Sequence, residues 1–252
     1  MTAGRRSQSA NIVSSVTVRV ILVISRAGAA PKPSDAGGSK LQSDRRNGYG
    51  LPLLPPRKNF KAAKVDVMAR TESTMLALGT LAPNFELPCV VSGNTVRLSD
   101  YSTKKALLVM FICRHCPYVK HVERALAQLG RDYASKSIGI IAISSNDAAA
   151  YPDDAPENLK EQAERLAFTF PYCYDETQDI ARAYTAACTP DFFLFDSGRK
   201  LVYRGQFDSS RPRNDVPVTG KDLRAAIDAA LAGRQVNAMQ IPSLGCNIKW
   251  KQ

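Results

Sequence analysis

Histidine is almost absent from this 252-residue sequence, which holds only His115 and His121. Its six cysteines contain only one pair at Cys-x-x-Cys spacing. A closed zinc site needs about four ligands, and no second such pair is present to complete one. Long apolar runs are missing as well. The run Val20-Ile21-Leu22-Val23-Ile24 is bracketed by Arg19 and Arg26 and falls far short of the roughly 20 residues that cross a bilayer, so no stable membrane association is expected. Acidic residues are scarce at the start of the chain. Residues 1–67 hold 12 Lys and Arg against 3 Asp and Glu, a net +9, whereas the rest holds 22 against 20, a net +2. The basic balance therefore belongs to a leader. No basic stripe interleaved with aromatics follows it, and a nucleic-acid partner is not expected.

The leader mixes Arg, Ser, Gly and Pro and contains no visible domain. Arg26 interrupts the apolar region that a secretory signal would need ahead of Ala27-Gly28-Ala29, while the Arg-rich, acid-poor composition fits an organelle transit peptide. The simpler reading is an over-extended start, with translation from Met68 and Ala69-Arg70-Thr71-Glu72-Ser73-Thr74 as an ordinary short N-terminus. This reading places the protein in the cytoplasm; the transit-peptide reading places it in a plastid or mitochondrion. The domain then spans residues 68–252, with a C-terminal tail from about 236. With 44% hydrophobic residues over its 252, the chain can build a core without disulfide staples.

Along the domain, Phe85–Val91 and Thr95–Leu98 read as two strands joined by the turn Ser92-Gly93-Asn94. Ala106–Ile112 is a nearly unbroken apolar run, as expected of a central strand covered on both faces. From Pro117 the period becomes helical, with Val119, Val122, Leu126 and Leu129 on one face and Gly130 as the stop. A strand at Ile138–Ser144, a helix at Pro156–Phe168, a short strand at Phe170–Tyr174 and a helix at Thr177–Ala186 follow. Asp191–Phe195 and Lys200–Gly205 pair across Asp196-Ser197-Gly198, and the last helix, Lys221–Ala232, takes Thr219 as its cap. Strands alternating with helices and closing on a hairpin and a helix describe an α/β sandwich.

Cys113 and Cys116 thus sit where a buried strand gives way to a helix. Two thiols three residues apart at a helix N-terminus can close a small disulfide, and the helix dipole favours a thiolate on the first. Cys113 is the expected nucleophile, Cys116 the more buried resolving thiol, and Arg114 and His115 the charges that lower the Cys113 pKa.

Ile112-Cys113-Arg114-His115-Cys116-Pro117 at the head of a helix, followed by Thr189-Pro190 ahead of Asp191-Phe192-Phe193-Leu194-Phe195-Asp196, resembles the thioredoxin superfamily. Gly79-Thr80-Leu81-Ala82-Pro83-Asn84-Phe85-Glu86-Leu87-Pro88 and Val96-Arg97-Leu98-Ser99-Asp100-Tyr101 resemble the opening of its alkyl hydroperoxide reductase and thiol-specific antioxidant branch. The likeness covers about residues 78 to 235. It implies a thioredoxin-like fold, a central mixed sheet flanked by helices with an N-terminal β-hairpin. It also implies that Pro190 is cis and packs on the disulfide, with the Thr189 backbone pairing with an extended substrate. Where peroxiredoxins of this branch carry Pro and Thr ahead of their peroxidatic cysteine, Val109 and Cys113 stand here. The arginine that assists peroxide cleavage has no counterpart. A histidine before the second cysteine resembles the more oxidising members, about 90 to 150 mV above thioredoxin. The Ala106–Ile112 strand offers no carboxylate as proton acceptor, and Glu86 is the substitute.

These observations support a thiol–disulfide oxidoreductase that serves redox homeostasis. It would exchange two electrons with protein or small-molecule disulfides and a thiol donor, with no bound organic cofactor and no metal. The alternatives are a peroxiredoxin-like thiol peroxidase and a copper- or other metal-handling protein using Cys113, Cys116 and His115 or His121. Cys188, just before Thr189, is a candidate auxiliary thiol or a small buried side chain. Cys246 is either a resolving thiol or incidental to a tail docked by Ile248 and Trp250. Cys89 and Cys173 are expected to be structural.

Overall fold

The computed structural model describes residues 70–252; the leader assigned to residues 1–67 lies outside the described residues. Two strands buried along their full length form the centre, β4 (Ala106–Phe111) and β5 (Ile138–Ser144), running parallel. β6 (Tyr172–Tyr174) extends the sheet in parallel beside β5. On the other side β8 (Asp191–Phe195) and β9 (Leu201–Arg204) add in antiparallel fashion. The order β6-β5-β4-β8-β9 makes this the mixed sheet that the resemblance implies. A short hairpin, β2 (Glu86–Pro88) with β3 (Thr95–Arg97), precedes it.

Side chains alternate across a strand, so β4 feeds two cores. Ala106, Leu108 and Met110 pack with Val119, Val122, Leu126, Leu159, Leu223 and Ile227, which come from α1 (Pro117–Tyr133), α2 (Pro156–Leu166) and α4 (Lys221–Leu231). Leu107, Val109 and Phe111 pack instead with Phe85 and Leu87 around the hairpin, with Tyr184, and with Ile248 near the C-terminus. Each such Leu, Ile, Val or Phe gains about 1.5–3 kcal/mol by full burial, which holds both ends of β4 rigid.

The elements differ from the sequence reading in four places. Gly130 does not end α1, which runs on to Tyr133; a Cβ there would meet the Phe170 ring at 2.8 Å, so the glycine serves a close approach rather than a stop. The short helix α3 covers only Asp179–Ala183, between left-handed Gln178 (φ 66°) and Thr185 (φ 51°). Gly220, not Thr219, caps α4, at φ 67°. The Asp208 carboxylate accepts from the Thr219 amide at 2.7 Å there, while Thr219 Oγ1 accepts only from Lys221 N at 3.3 Å.

The fourth difference bears on function. Neither the short N-terminus nor the tail is loose: β1 (Arg70–Glu72), β10 (Leu244–Asn247) and β7 (Cys188–Thr189) form a second antiparallel sheet in the order β1-β10-β7. The C-terminal segment thereby lies directly beside Thr189.

Candidate active site

β4 ends at Phe111, and Ile112 and Cys113 continue it to the start of α1, where Cys116 is the N-cap and Pro117 the first helical residue. Proline suits that position because the amide it lacks would have no helical partner. The Thr189–Pro190 peptide bond is cis. Thr189 touches both members of the pair: its Oγ1 is 3.2 Å from Cys113 Sγ, and its carbonyl oxygen is 3.2 Å from Cys116 Sγ. Both sulfurs are fully buried, so Cys113 is no more open than Cys116.

The charge lies opposite to expectation. Burial pushes the Cys113 thiol well up, and contact with Cys116 and the charge of Asp154 add to it. Burial also opposes ionisation of Cys116, but the Cys113 and Cys246 thiols and the backbone amides of Val119 and Cys246 outweigh it, bringing Cys116 down to about 2. The Thr189 carbonyl is a contact that only a Cys116 thiol, as donor, would satisfy, and it is outnumbered. Cys116 is the N-cap, and of the otherwise unpaired amides of the first helical turn that of Val119 favours charge on its sulfur.

Arg114 and His115 also depart from the roles expected of them. Arg114 turns away to an ion pair with Glu161 at 2.9 Å. His115 Nδ1 donates to Asp154 Oδ2 at 2.5 Å, and the His115 ring stacks on Tyr151. Asp154 is wholly buried; it also accepts from the amides of Arg114 and His115 at 2.8 and 3.1 Å and from Asn146 Nδ2 at 2.8 Å. Burial disfavours both charges, yet the mutual bond prevails, leaving His115 raised and Asp154 lowered. The buried carboxylate of the site is therefore Asp154. Glu86 is exposed on the hairpin, where it pairs with Arg97 at 2.6 Å.

Donor atoms of Cys113, His115 and Asp154 lie within 4.8 Å of one another, the sole such metal-capable cluster among the described residues. His121, the other candidate ligand, lies 2.7 Å from Ser210 Oγ and outside that cluster.

The remaining cysteines separate clearly. Cys246 is paired in register with Thr189, and its sulfur is 2.8 Å from Cys116 Sγ. Cys188 is buried with its sulfur 3.6 Å from the Pro190 carbonyl, and burial raises its pKa. Cys89 and Cys173 face each other across an isolated antiparallel bridge, both buried. Ile248 is buried, whereas Trp250 remains 38% exposed beneath Arg182. Asp154 and β10 are the parts that sequence reasoning missed. The one available cue was Cys246 itself, since nothing near Pro152-Asp153-Asp154 marks a carboxylate that folds back onto a motif some forty residues earlier. No helix among the described residues is long and apolar enough to cross a membrane.

A model of the AhpC/TSA family matches residues 78–204. The thiol-disulfide oxidoreductase ResA of Geobacillus thermodenitrificans is 28% identical over 137 residues, covering 52% of this chain and 70% of that protein. A crystal structure of an uncharacterized conserved protein from Geobacillus kaustophilus superposes with a TM-score of 0.72 at 56% identity, covering 73% of this chain and 97% of the other. A hypothetical protein from Sinorhizobium meliloti does so with a TM-score of 0.71 at 48% identity, covering 72% and 98%.

Proposed function

The chain belongs to the AhpC/TSA family, and from that premise we propose that it is a thiol–disulfide oxidoreductase that exchanges two electrons through Cys113 and Cys116. One observation carries the reading: Thr189, just before a cis proline, contacts the sulfurs of both cysteines at the head of α1. The similarity to ResA supports the same chemistry.

In the reduced site Cys113 holds a proton that the Cys116 thiolate can accept. Its transfer leaves a Cys113 thiolate beside Thr189 Oγ1, a contact that favours that charge. The Cys113 thiolate attacks one sulfur of a substrate disulfide and expels the other as a thiolate. Cys116, losing its proton to that leaving group, then displaces the second substrate sulfur and closes Cys113–Cys116. One disulfide is reduced and one formed. Protein disulfides and a thiol donor are the proposed partners.

The test is equilibration of the full chain with glutathione redox buffers, mapping disulfides by mass spectrometry. Reversible, two-electron closure of Cys113–Cys116, together with disulfide reductase activity lost in C113S, is expected. A pair that stays reduced in oxidised glutathione would overturn the proposal.

A further inference from the structure

We propose that Cys246 is a third redox-active thiol of this site, exchanging with the Cys113–Cys116 disulfide through direct attack on Cys116, to which strand β10 delivers it. The inference rests on the oxidoreductase reading above and deepens it.

The placement is specific. A disulfide bond is about 2.05 Å long, and the Cys246 and Cys116 sulfurs stand 2.8 Å apart without being bonded. Cys116 is the middle of three thiols, contacted by Cys113 and Cys246. The geometry comes from pairing and not from a chance approach of a tail. β10 is held on both edges, by β1 and by β7, with Cys246 opposite Arg70 on one side and Thr189 on the other. Gly245 permits this, since a Cβ there would overlap the Thr189 carbonyl. Beyond the strand, Ile248 is sunk in the core, and the Lys249 amide donates to Asn146 at 2.8 Å. In the reduced site the contact with Cys116, burial and the Cys116 charge hold the Cys246 thiol well up, with Lys249 opposing; once Cys116 is in the Cys113–Cys116 disulfide its thiolate charge is gone and the Lys249 charge remains. β10 therefore occupies the Thr189 edge at which an extended substrate was expected to pair, and it brings its own sulfur there.

The exchange needs no external oxidant. A Cys246 thiolate attacks Cys116 Sγ of the Cys113–Cys116 disulfide; the new Cys116–Cys246 bond forms, the old bond breaks, and Cys113 leaves as a thiolate that takes up the proton Cys246 gave up. The site thus has two oxidised isomers, and in the second Cys113 is a free thiol.

The full chain oxidised with glutathione, quenched in acid, alkylated and mapped by mass spectrometry should show a Cys116–Cys246 linkage beside Cys113–Cys116. C246S should show Cys113–Cys116 only. C113S, oxidised in the same way, should lose the Cys116 and Cys246 thiols together while staying monomeric, and C113A repeats this with no hydroxyl in place of the thiol. Cys113–Cys116 alone in the unmodified chain, with Cys246 alkylated throughout, would overturn the proposal and leave the oxidoreductase reading intact. Failure of Cys113–Cys116 to form at all would instead count against that underlying reading.

Discussion

Asp154 accepts a 2.5 Å hydrogen bond from His115 Nδ1 while also accepting from the two backbone amides of the Cys-x-x-Cys turn. One buried carboxylate thus fixes both the ring and the loop that carries it. D154N should lower the His115 pKa relative to the unmodified protein, because the neutral amide no longer stabilises the imidazolium. With only two histidines in the chain, NMR titration of the ring protons reads this directly. D154A removes every acceptor and should cost about 1–3 kcal/mol in chemical unfolding.

The same pair sets a pH window. His115 has a raised pKa, so its contribution to stability is complete below the ordinary histidine value and is lost as pH rises through the folded one. Asp154 has a lowered pKa, so its contribution is complete above the ordinary carboxylate value and is lost as pH falls through the folded one. Both are in full force between about pH 4 and 6.5. The stability difference between the unmodified protein and D154N, measured by urea unfolding, should be greatest there and shrink on either side.

Arg204 is wholly buried and lies 3.4 Å from the equally buried Asp191, the residue after Pro190. It also donates to the Thr185 carbonyl at 2.9 Å and covers the Phe193 ring. R204M leaves the buried Asp191 carboxylate with only the Ser73 hydroxyl and the Ala187 amide as donors and no opposing charge, and loss of one buried charge partner costs about 3–5 kcal/mol. The double variant R204M/D191N should cost less than the sum of the two single changes, as a denaturant double-mutant cycle would show.

Gly130 sits inside α1, where Ala is normally better by about 1 kcal/mol. G130A should nonetheless destabilise, because its Cβ would meet Thr169 Oγ1 at 2.7 Å and the Phe170 ring at 2.8 Å. That ring is stacked on Phe168 at 4.7 Å and is not free to turn aside. Overpacking of this kind costs about 1–3 kcal/mol, and thermal unfolding should show a lower midpoint.

G245A should loosen β10 and leave the five-stranded sheet alone. The expected result is loss of amide protection at Leu244–Asn247 in hydrogen exchange, with faster alkylation of Cys113 and Cys116. Unchanged protection would show that the strand tolerates the side chain.

The central strands, their order of appearance and the Cys-x-x-Cys at the start of a helix were legible because burial on both faces leaves continuous apolar runs and because Pro117 marks a helix start. What escaped was set by contacts distant in sequence. Gly130 reads as a stop until Phe170 is placed against it. β1 and β10 are short, and their amphipathic signal is too brief to separate from a terminus. Asp154 carries no local signature, since its role comes from amides some forty residues away, and the low Cys116 pKa draws, besides Cys113, on a third sulfur and an amide brought in by β10.

Of the described strands β10 is the last to be synthesised, and a domain generally folds as a unit. The Thr189 edge and the two thiols of α1 therefore leave the ribosome ahead of the strand that covers them. Until β10 follows, the paired cysteines stand open to the surrounding thiols and disulfides, and the finished fold encloses them: the order of manufacture gives the site an open youth and a closed maturity.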